Sequence, residues 1–189
     1  MKLFQDQSYT SINFQTDPIE MGEYENCTFS KCNFQQADLS HYQFIDCVFT
    51  DCDLSLIKIN QTLLRDIKFI SCKMMGILYE TASEFGLSVS FNSCVLDNSS
   101  FYKVKLKKTQ FEKCTLKEVD FTEADLSESA FVECNLENAT FDNTNLEKVD
   151  FTTAINYNFN LNTNKAKKSK HSLMGSAALL QQFGLVIKS

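Results

Sequence analysis

The eight cysteines are the residues of this chain best suited to chemistry, because thiols bind metals and form disulfides. Disulfides are not expected, because cysteines stacked in parallel would not present the torsion that a disulfide needs. Disulfides are also typical of oxidising compartments, whereas we expect a cytoplasmic protein. A zinc site from the first four cysteines is an alternative, but its two C-x4-C pairs stand only at the upper limit of the usual C-x2-4-C spacing. We therefore expect no metal and no cofactor, and we expect the cysteines to pack as small buried hydrophobic residues. The sequence does not predict whether their thiols are reactive. The cysteines are Cys27, Cys32, Cys47, Cys52, Cys72, Cys94, Cys114 and Cys134.

Other catalytic groups are sparse. His41 and His171 form no recognisable catalytic motif with a nucleophile, and five scattered glycines cannot build a phosphate-cradling loop. Carboxylates are abundant, but many recur opposite lysines at a fixed spacing, where they stabilise a sheet rather than transfer protons. We predict that the chain is not an enzyme.

An apolar residue at every fifth position is the feature that must position all these groups. A period of five fits neither the 3.6 of a helix nor the 2 of a strand, so the chain must turn a regular corner. The repeat is unbroken through Phe91, Leu96, Phe101, Leu106, Phe111, Leu116, Phe121, Leu126, Phe131, Leu136, Phe141, Leu146 and Phe151.

The same period runs from Phe4 to Met74, but Met74 and Phe91 are 17 residues apart. This distance is three repeats plus two, which predicts a two-residue insertion within residues 75–90. We expect one repeat domain over residues 1–154, in two offset halves. Residues 155–189 would form a linker and a C-terminal helix that caps the repeat or joins two copies.

Charged residues indicate that one coil consists of four sides, each one five-residue unit long. Within each half of residues 1–154, opposite charges recur in ten pairs at positions i and i+20, against the single like-charged pair Asp46/Asp66. Neighbouring strands favour such pairing. The ten pairs are Lys31/Asp51, Asp38/Lys58, Asp53/Lys73, Asp97/Lys117, Lys103/Glu123, Lys105/Asp125, Lys108/Glu128, Lys113/Glu133, Lys117/Glu137 and Glu128/Lys148.

The C-terminal segment predicts a short amphipathic helix between an N-cap at Ser172 and a stop at Gly184. An apolar end, Leu185 to Ile187, follows it. The open end of a coil stack invites association unless it is covered, so a cap and a dimerisation element remain alternatives. The face that would serve either role holds Leu173, Ala177, Leu180 and Phe183.

Composition narrows the functional classes. The net charge of −6 and the pI near 5.0 disfavour direct binding of nucleic acid. The chain shows neither a signal-peptide core nor an apolar run of about 18 residues that could span a membrane, so we expect a cytoplasmic protein.

Several five-residue units resemble those of pentapeptide repeat proteins. Ala124-Asp125-Leu126, Cys134-Asn135-Leu136 and Ala37-Asp38-Leu39 are similar to the family's A-(D/N)-L unit, and the resemblance covers roughly residues 20–154. It implies an all-β fold, a right-handed quadrilateral parallel β-helix with four five-residue sides to each coil and a short C-terminal α-helix.

The length, the mid-chain break and the tail are also similar to the Qnr, MfpA and microcin-immunity branch of that family. The resemblance implies a homodimer joined through C-terminal helices and an acidic rod that imitates duplex DNA and binds DNA gyrase, with protection against quinolones or other topoisomerase poisons. The chain departs from the Qnr pattern by lacking long projecting loops and by carrying lysines at 165, 167, 168 and 170.

Carboxylates are concentrated between Glu118 and Asp150, a stretch that contains ten of them and Lys148 as its one basic residue. Since consecutive repeats lie on successive sides, these carboxylates predict an acidic belt around the last coils. The alternative is that they serve only as the polar residues that any outer surface needs. The competing function is a rigid scaffold or interaction module with an unrelated partner, for which the break near Glu80, Glu84 and Phe85 is the candidate surface. The expected partner-binding residues of the belt are Glu118, Glu123, Glu128, Glu133, Glu137, Asp142 and Glu147.

Overall fold

The computed structural model, which describes residues 1–185, is a four-sided parallel β-helix of about eight turns followed by one short α-helix. The predicted fold class is confirmed. Strands lie on two of the four sides, in sheets of four and nine strands, and isolated bridges join the coils on the other two sides and along the second half of the four-stranded side. The strands are β1 (Lys2–Gln5), β2 (Ser8–Thr10), β3 (Gly22–Glu25), β4 (Thr28–Ser30), β5 (Gln43–Ile45), β6 (Val48–Thr50), β7 (Leu63–Arg65), β8 (Ile67–Ile70), β9 (Val89–Asn92), β10 (Gln110–Glu112), β11 (Ala130–Val132), β12 (Asp150–Phe151) and β13 (Lys170–His171).

We name the four sides by the buried residue at the centre of each in one coil. Side A is centred on Phe111, side B on Leu116, side C on Phe121 and side D on Leu126. The nine-stranded sheet runs the length of side A, and the four-stranded sheet β1-β3-β5-β7 forms the first half of side D.

Nearly every corner is made by a residue in the left-handed backbone conformation, two positions after the central residue. In the coil from Lys113 to Glu133 the corner residues have φ between 53° and 63°. These corners let the backbone bond to the coils on both sides, as the Leu116 N–H donates to the Asn135 carbonyl of the next coil at 2.8 Å and the Thr115 N–H to the Cys94 carbonyl of the preceding coil at 3.0 Å. The register predicted from the charge pairs is thereby confirmed.

The core of the second half consists of stacked rings, as the alternation of Phe and Leu predicts. On side A, Phe111 stacks on Phe91 and Phe131 with ring centroids 5.1 and 4.8 Å apart. On side C, Phe121 stacks on Phe101 and Phe141 at 5.3 and 5.2 Å. Rings of the two columns meet edge to face, which is a favourable arrangement for aromatic pairs.

The insertion lies on side D, midway along the rod. The Ser83 N–H donates to the Thr62 carbonyl at the regular spacing, whereas Ile67 pairs with Val89, two positions beyond its regular partner. The two extra residues therefore fall between Ser83 and Val89, where Gly86 has a positive φ of 71°. Beyond them the regular register resumes between β9 and β10.

The coil extends further than the sequence analysis expects. After an irregular segment with buried Tyr157 and Phe159, the backbone returns to register, with Asn145 paired to Lys165 and Asp150 to Lys170. The basic run therefore lies on the β-helix rather than in a linker, and its intervening residues Ala166 and His171 occupy central positions of the last coil.

Helix α1 (Leu173–Leu180) continues as a 3-10 turn (Gln181–Phe183) and covers the end of the last coil. The predicted caps are confirmed: Ser172 Oγ accepts from the Gly175 N–H at 3.0 Å, and Gly184 has a φ of 73°. Leu179 is the helix residue that is buried, and Gly175 lies so close to the Tyr157 hydroxyl that no side chain fits there. Val186 and Ile187 of the predicted apolar end lie outside the described residues.

Among residues 1–185, no helix is long and apolar enough to cross a membrane.

Candidate partner-binding surface

The predicted acidic belt lies on two neighbouring coils. Glu118, Glu123, Glu128 and Glu133 occupy the four successive corners of one coil, so that each side of the rod ends in a glutamate. A carboxylate at each corner of one turn surrounds the rod with negative charge. The adjoining coil adds Glu137 on side B, Asp142 on side C and Glu147 on side D, all exposed.

Lysines one coil away neutralise part of this belt. Glu137 bonds to Lys117 at 2.9 Å, and Glu123 lies 3.5 Å from Lys103. Both pairs are exposed, so each contributes little to stability and is screened by salt. For Glu118, Glu133, Asp142 and Glu147, the described part of the chain offers no cationic group within 4 Å, so these four carry the charge available to a partner.

Glu128 lies in the most basic surroundings of the belt. Its carboxylate is 3.6 Å from Lys107, 4.0 Å from Lys108 and 3.6 Å from Lys148. Lys148 chiefly lowers the pKa of this carboxyl, and the other two lysines add to the effect. Of the predicted partner-binding residues, Glu128 is thus the one most occupied by ion pairs within the chain.

Several aspartates hold the backbone instead of pairing with lysine. Asp125 accepts a hydrogen bond from the Ser127 N–H at 3.0 Å, and Asp120 accepts one from Thr122 at 2.8 Å. Similar bonds to Ser40 lower the pKa of Asp38. The sequence signal for this role is Asp followed two positions later by Ser or Thr, a pattern typical of Asx turns, which the charge-pair argument overlooks.

Side D carries a row of lysines that sequence reasoning missed. All seven are exposed, on coils joined by the bridges Lys105↔Asp125 and Asn145↔Lys165. In contrast, between residues 95 and 161 sides B and C carry only Lys103 and Lys117. The belt is therefore acidic on sides A, B and C, whereas on side D the lysines neutralise its negative charge. The row consists of Lys105, Lys107, Lys108, Lys148, Lys165, Lys167 and Lys168.

The insertion projects an aromatic residue and borders a cleft. Phe85 is 79% exposed, and Glu80 and Glu84 also face solvent. The cleft, of about 300 Å³, has Leu87 and Val104 among its apolar lining residues, and Glu84 and Lys103 among its polar ones. Mixed apolar and charged lining suits the docking of a partner's side chain, so this second predicted surface is accessible.

The predicted association face of helix α1 is only partly available. Leu173 is 89% exposed, and Phe183 and Leu180 are 50% and 39% exposed, whereas Ala177 is half-buried. Met174, which the sequence analysis did not include, is 84% exposed. Because buried Leu179 fastens the helix to the last coil, these outer residues are presented on a fixed surface.

The structure gives no support to the zinc alternative. The first four cysteines stand on two different corners of the coil, and among the described residues no three His, Cys, Asp or Glu side chains converge on a point. His171 is half-buried, stacked on Phe151 at 5.5 Å, and hydrogen-bonded to Tyr157 and Ser169. Burial lowers its pKa, which keeps the ring neutral at neutral pH.

Comparison with known proteins agrees with this geometry. A family model for the pentapeptide repeat region matches residues 23–83 and 87–159, and the gap between the two matches falls on the insertion. No curated protein matches the chain.

Among solved structures, a trypsin-treated variant of QnrB1, a plasmid-mediated fluoroquinolone resistance protein, aligns with a TM-score of 0.53 at 22% identity, over 97% of this chain and 99% of that one. Full-length QnrB1 gives a TM-score of 0.52 at 19% identity, over 97% and 100%. At such identities the likeness concerns the fold.

Proposed function

Because this chain belongs to the pentapeptide repeat family, we propose that it is a non-catalytic, cytoplasmic binding protein that imitates duplex DNA and modulates DNA gyrase. The observation that carries the proposal is the coil with a glutamate at each of its four corners. A rod surrounded by fixed carboxylates presents charge to a positively charged DNA-binding groove much as a duplex does. The similarity to QnrB1, a fluoroquinolone resistance protein, supports gyrase as the partner.

The lysine row on side D orients the rod in this proposal. A basic groove repels Lys105, Lys107 and Lys108, so gyrase would contact sides B and C, where Glu118 and Asp142 lie within reach and lysines are few. Side D would face away from the enzyme.

A supercoiling assay with purified gyrase tests both parts. The protein should inhibit supercoiling or protect gyrase from a quinolone. The double variant Glu118→Gln/Asp142→Asn should weaken the effect about tenfold, since it removes charge on the contacting sides. The matched control Glu128→Gln/Glu147→Gln changes the net charge equally on side D and should weaken it less. If micromolar wild-type protein has no effect in either assay, gyrase is not the partner, and equal losses in both variants would refute the orientation.

We further propose that the protein acts as a homodimer through helix α1. Two copies joined by Leu173, Met174 and Leu180 would place two acidic belts in one continuous rod, longer than either alone. Leu180→Asp should give a monomer in sedimentation velocity, and Gln181→Asp, an exposed polar neighbour, should not. A monomeric wild type would leave the helix as a cap alone.

The insertion favours a second candidate function, an interaction module for an unrelated protein. Phe85 is more exposed than any other aromatic residue of the described chain, and it lies beside the cleft of about 300 Å³. Phe85→Ser should abolish capture of such a partner while leaving the gyrase assay unchanged. Loss of gyrase modulation in this variant would instead place the insertion within the gyrase-binding surface.

A further inference from the structure

Six of the eight cysteines form one column that runs through six consecutive coils at the corner between sides A and B. We call this column, Cys32, Cys52, Cys72, Cys94, Cys114 and Cys134, the thiol ladder. The residues that directly follow these cysteines pair from coil to coil, through Asn33↔Asp53, Asp53↔Lys73, Lys73↔Val95, Val95↔Thr115 and Thr115↔Asn135. The two-residue insertion brings Cys94 into line with Cys72, so the column crosses the junction unbroken.

Cys27 and Cys47 form a second, shorter column at the corner between sides D and A. The residues after them, Thr28 and Val48, pair directly in neighbouring strands. All eight thiols of the chain therefore have at least one other thiol one coil away.

The thiols of the ladder are free and almost completely shielded from water, each at most 2% exposed. Each S–H donates to a carbonyl of the preceding coil, for example from Cys52 to Phe29 at 3.4 Å and from Cys134 to Phe111 at 3.4 Å. The Cys32 N–H donates to the sulfur of Cys52 at 3.4 Å, which shows how closely successive ladder residues approach.

The spacing of the coils matches a two-coordinate metal site. Parallel strands stack about 4.8 Å apart, and two metal–thiolate bonds placed in line, each about as long as the roughly 2.3 Å Zn–S bond, span about 4.6 Å. Thiolates select soft ions such as Cu(I), and the d10 ions Cu(I) and Ag(I) accept linear coordination by two sulfurs. A tetrahedral ion finds no such match, because within residues 1–185 no three donors converge.

We propose that the thiol ladder binds soft monovalent cations, Cu(I) or Ag(I), each held in line between the sulfurs of cysteines in successive coils. Two S–H bonds break, two metal–sulfur bonds form and two protons leave to solvent, with no change of oxidation state. A thiolate sulfur makes its bonds at a bent angle and cannot serve two ions along one straight column. The six-thiol ladder therefore takes three ions and the Cys27–Cys47 pair one, which makes four for eight thiols.

Titration of the folded protein with Ag(I) in chloride-free buffer tests the proposal. Binding should saturate at four ions per chain with the release of two protons per ion, measured by calorimetry and pH-stat. Far-UV circular dichroism should stay unchanged, and the melting temperature should rise, because the ion binds the folded state. No binding by the folded protein, or loss of the β-helix signal on addition of silver, would overturn the proposal.

Two double variants separate adjacency from the mere number of thiols. Valine is a suitable replacement, because the chain itself places Val119 and Val149 in equivalent buried positions. Cys32→Val/Cys134→Val removes the ends of the ladder and leaves two adjacent pairs within it, so it should lose one ion. Cys52→Val/Cys94→Val removes as many thiols but leaves only one adjacent pair, so it should lose two ions. Equal losses would show that the column does not hold the metal.

Discussion

The two halves of the rod share the five-residue repeat but pack it differently. After the insertion, phenylalanines fill the opposite sides A and C, and leucines fill sides B and D. Before it, side A is also aromatic, but further rings lie on side D, where Tyr24 stacks on Phe44 at 5.4 Å, and on side B, where Phe14 stacks on Phe34 at 4.5 Å. Side C of this half holds aliphatic residues until Tyr79, where its ring column begins, so the second aromatic side changes at the junction.

This change of sides leaves the junction less well packed than the regular coils. A small internal void of about 10 Å³ lies there among aliphatic and aromatic side chains, including Leu64 and Met74. The Tyr79 hydroxyl is buried and has no hydrogen-bond partner among the described residues. The repeat period thus determines the coil, whereas the constancy of side-chain size along a column determines how well its interior is filled.

A matched pair of leucines on side D tests the comparison with the largest expected effect. Leu126→Ala, in the regular half, should lower the free energy of unfolding by about 4 kcal/mol, because the surrounding stacked rings cannot collapse into the cavity. Leu64→Ala, beside the void, should cost only about 2 kcal/mol, since its mixed neighbours can shift. Urea unfolding measures both, and equal costs would mean that the junction is packed as tightly as the regular coils.

The unpartnered hydroxyl gives the second test. Tyr79→Phe should raise the free energy of unfolding by about 1–2 kcal/mol, because it removes a buried polar group that makes no hydrogen bond and continues the Phe column of side C. The control is Tyr24→Phe, whose hydroxyl donates to the Glu20 carbonyl at 2.6 Å, and this change should cost about 1 kcal/mol. Destabilisation by Tyr79→Phe would show that its hydroxyl is bonded after all.

The corners provide a smaller contrast. Leu56, in the first half, has a φ of 59°, where a branched apolar side chain is strained, while Asn138 occupies the same kind of corner at 57°. Leu56→Asn should stabilise by about 0.5–1 kcal/mol, and the reverse change Asn138→Leu should destabilise by about as much. Thermal unfolding of both variants checks the prediction. Shifts of the same sign would show that corner strain does not distinguish these residues.

Features that repeat with little variation could be predicted from the sequence, and features that depend on the insertion or on single corners could not. The period of Phe91 to Phe151 and the charge pairs established the coil, because both features repeat with little variation. The left-handed conformation of the corners could not be predicted, because Lys, Glu, Asp and Ser occupy them as readily as Asn does and no residue type marks them. Prediction of the lysine row requires knowing that the 20-residue register resumes at Lys165 after the irregular segment, and no local pattern indicates this. The continuity of the thiol ladder from Cys72 to Cys94 depended on where the insertion lies.

The smallest effect concerns the charge pairs, and it separates the regular half into paired and unpaired corners. Glu128→Lys places a positive charge among Lys107, Lys108 and Lys148, whereas Glu118→Lys changes a corner with no cationic group within 4 Å in the described chain. Glu128→Lys should therefore lower the melting temperature more, and the difference should shrink at high salt because exposed charges are screened. Because the lysines hold the pKa of Glu128 below its ordinary 4.5, its contribution is present above that pH and is lost as the pH falls through the lowered value. The difference between the two variants should then narrow in acid, where only the repulsion between the introduced lysine and its three neighbours remains, and equal melting temperatures at neutral pH and low salt would contradict the pairing of charges across coils.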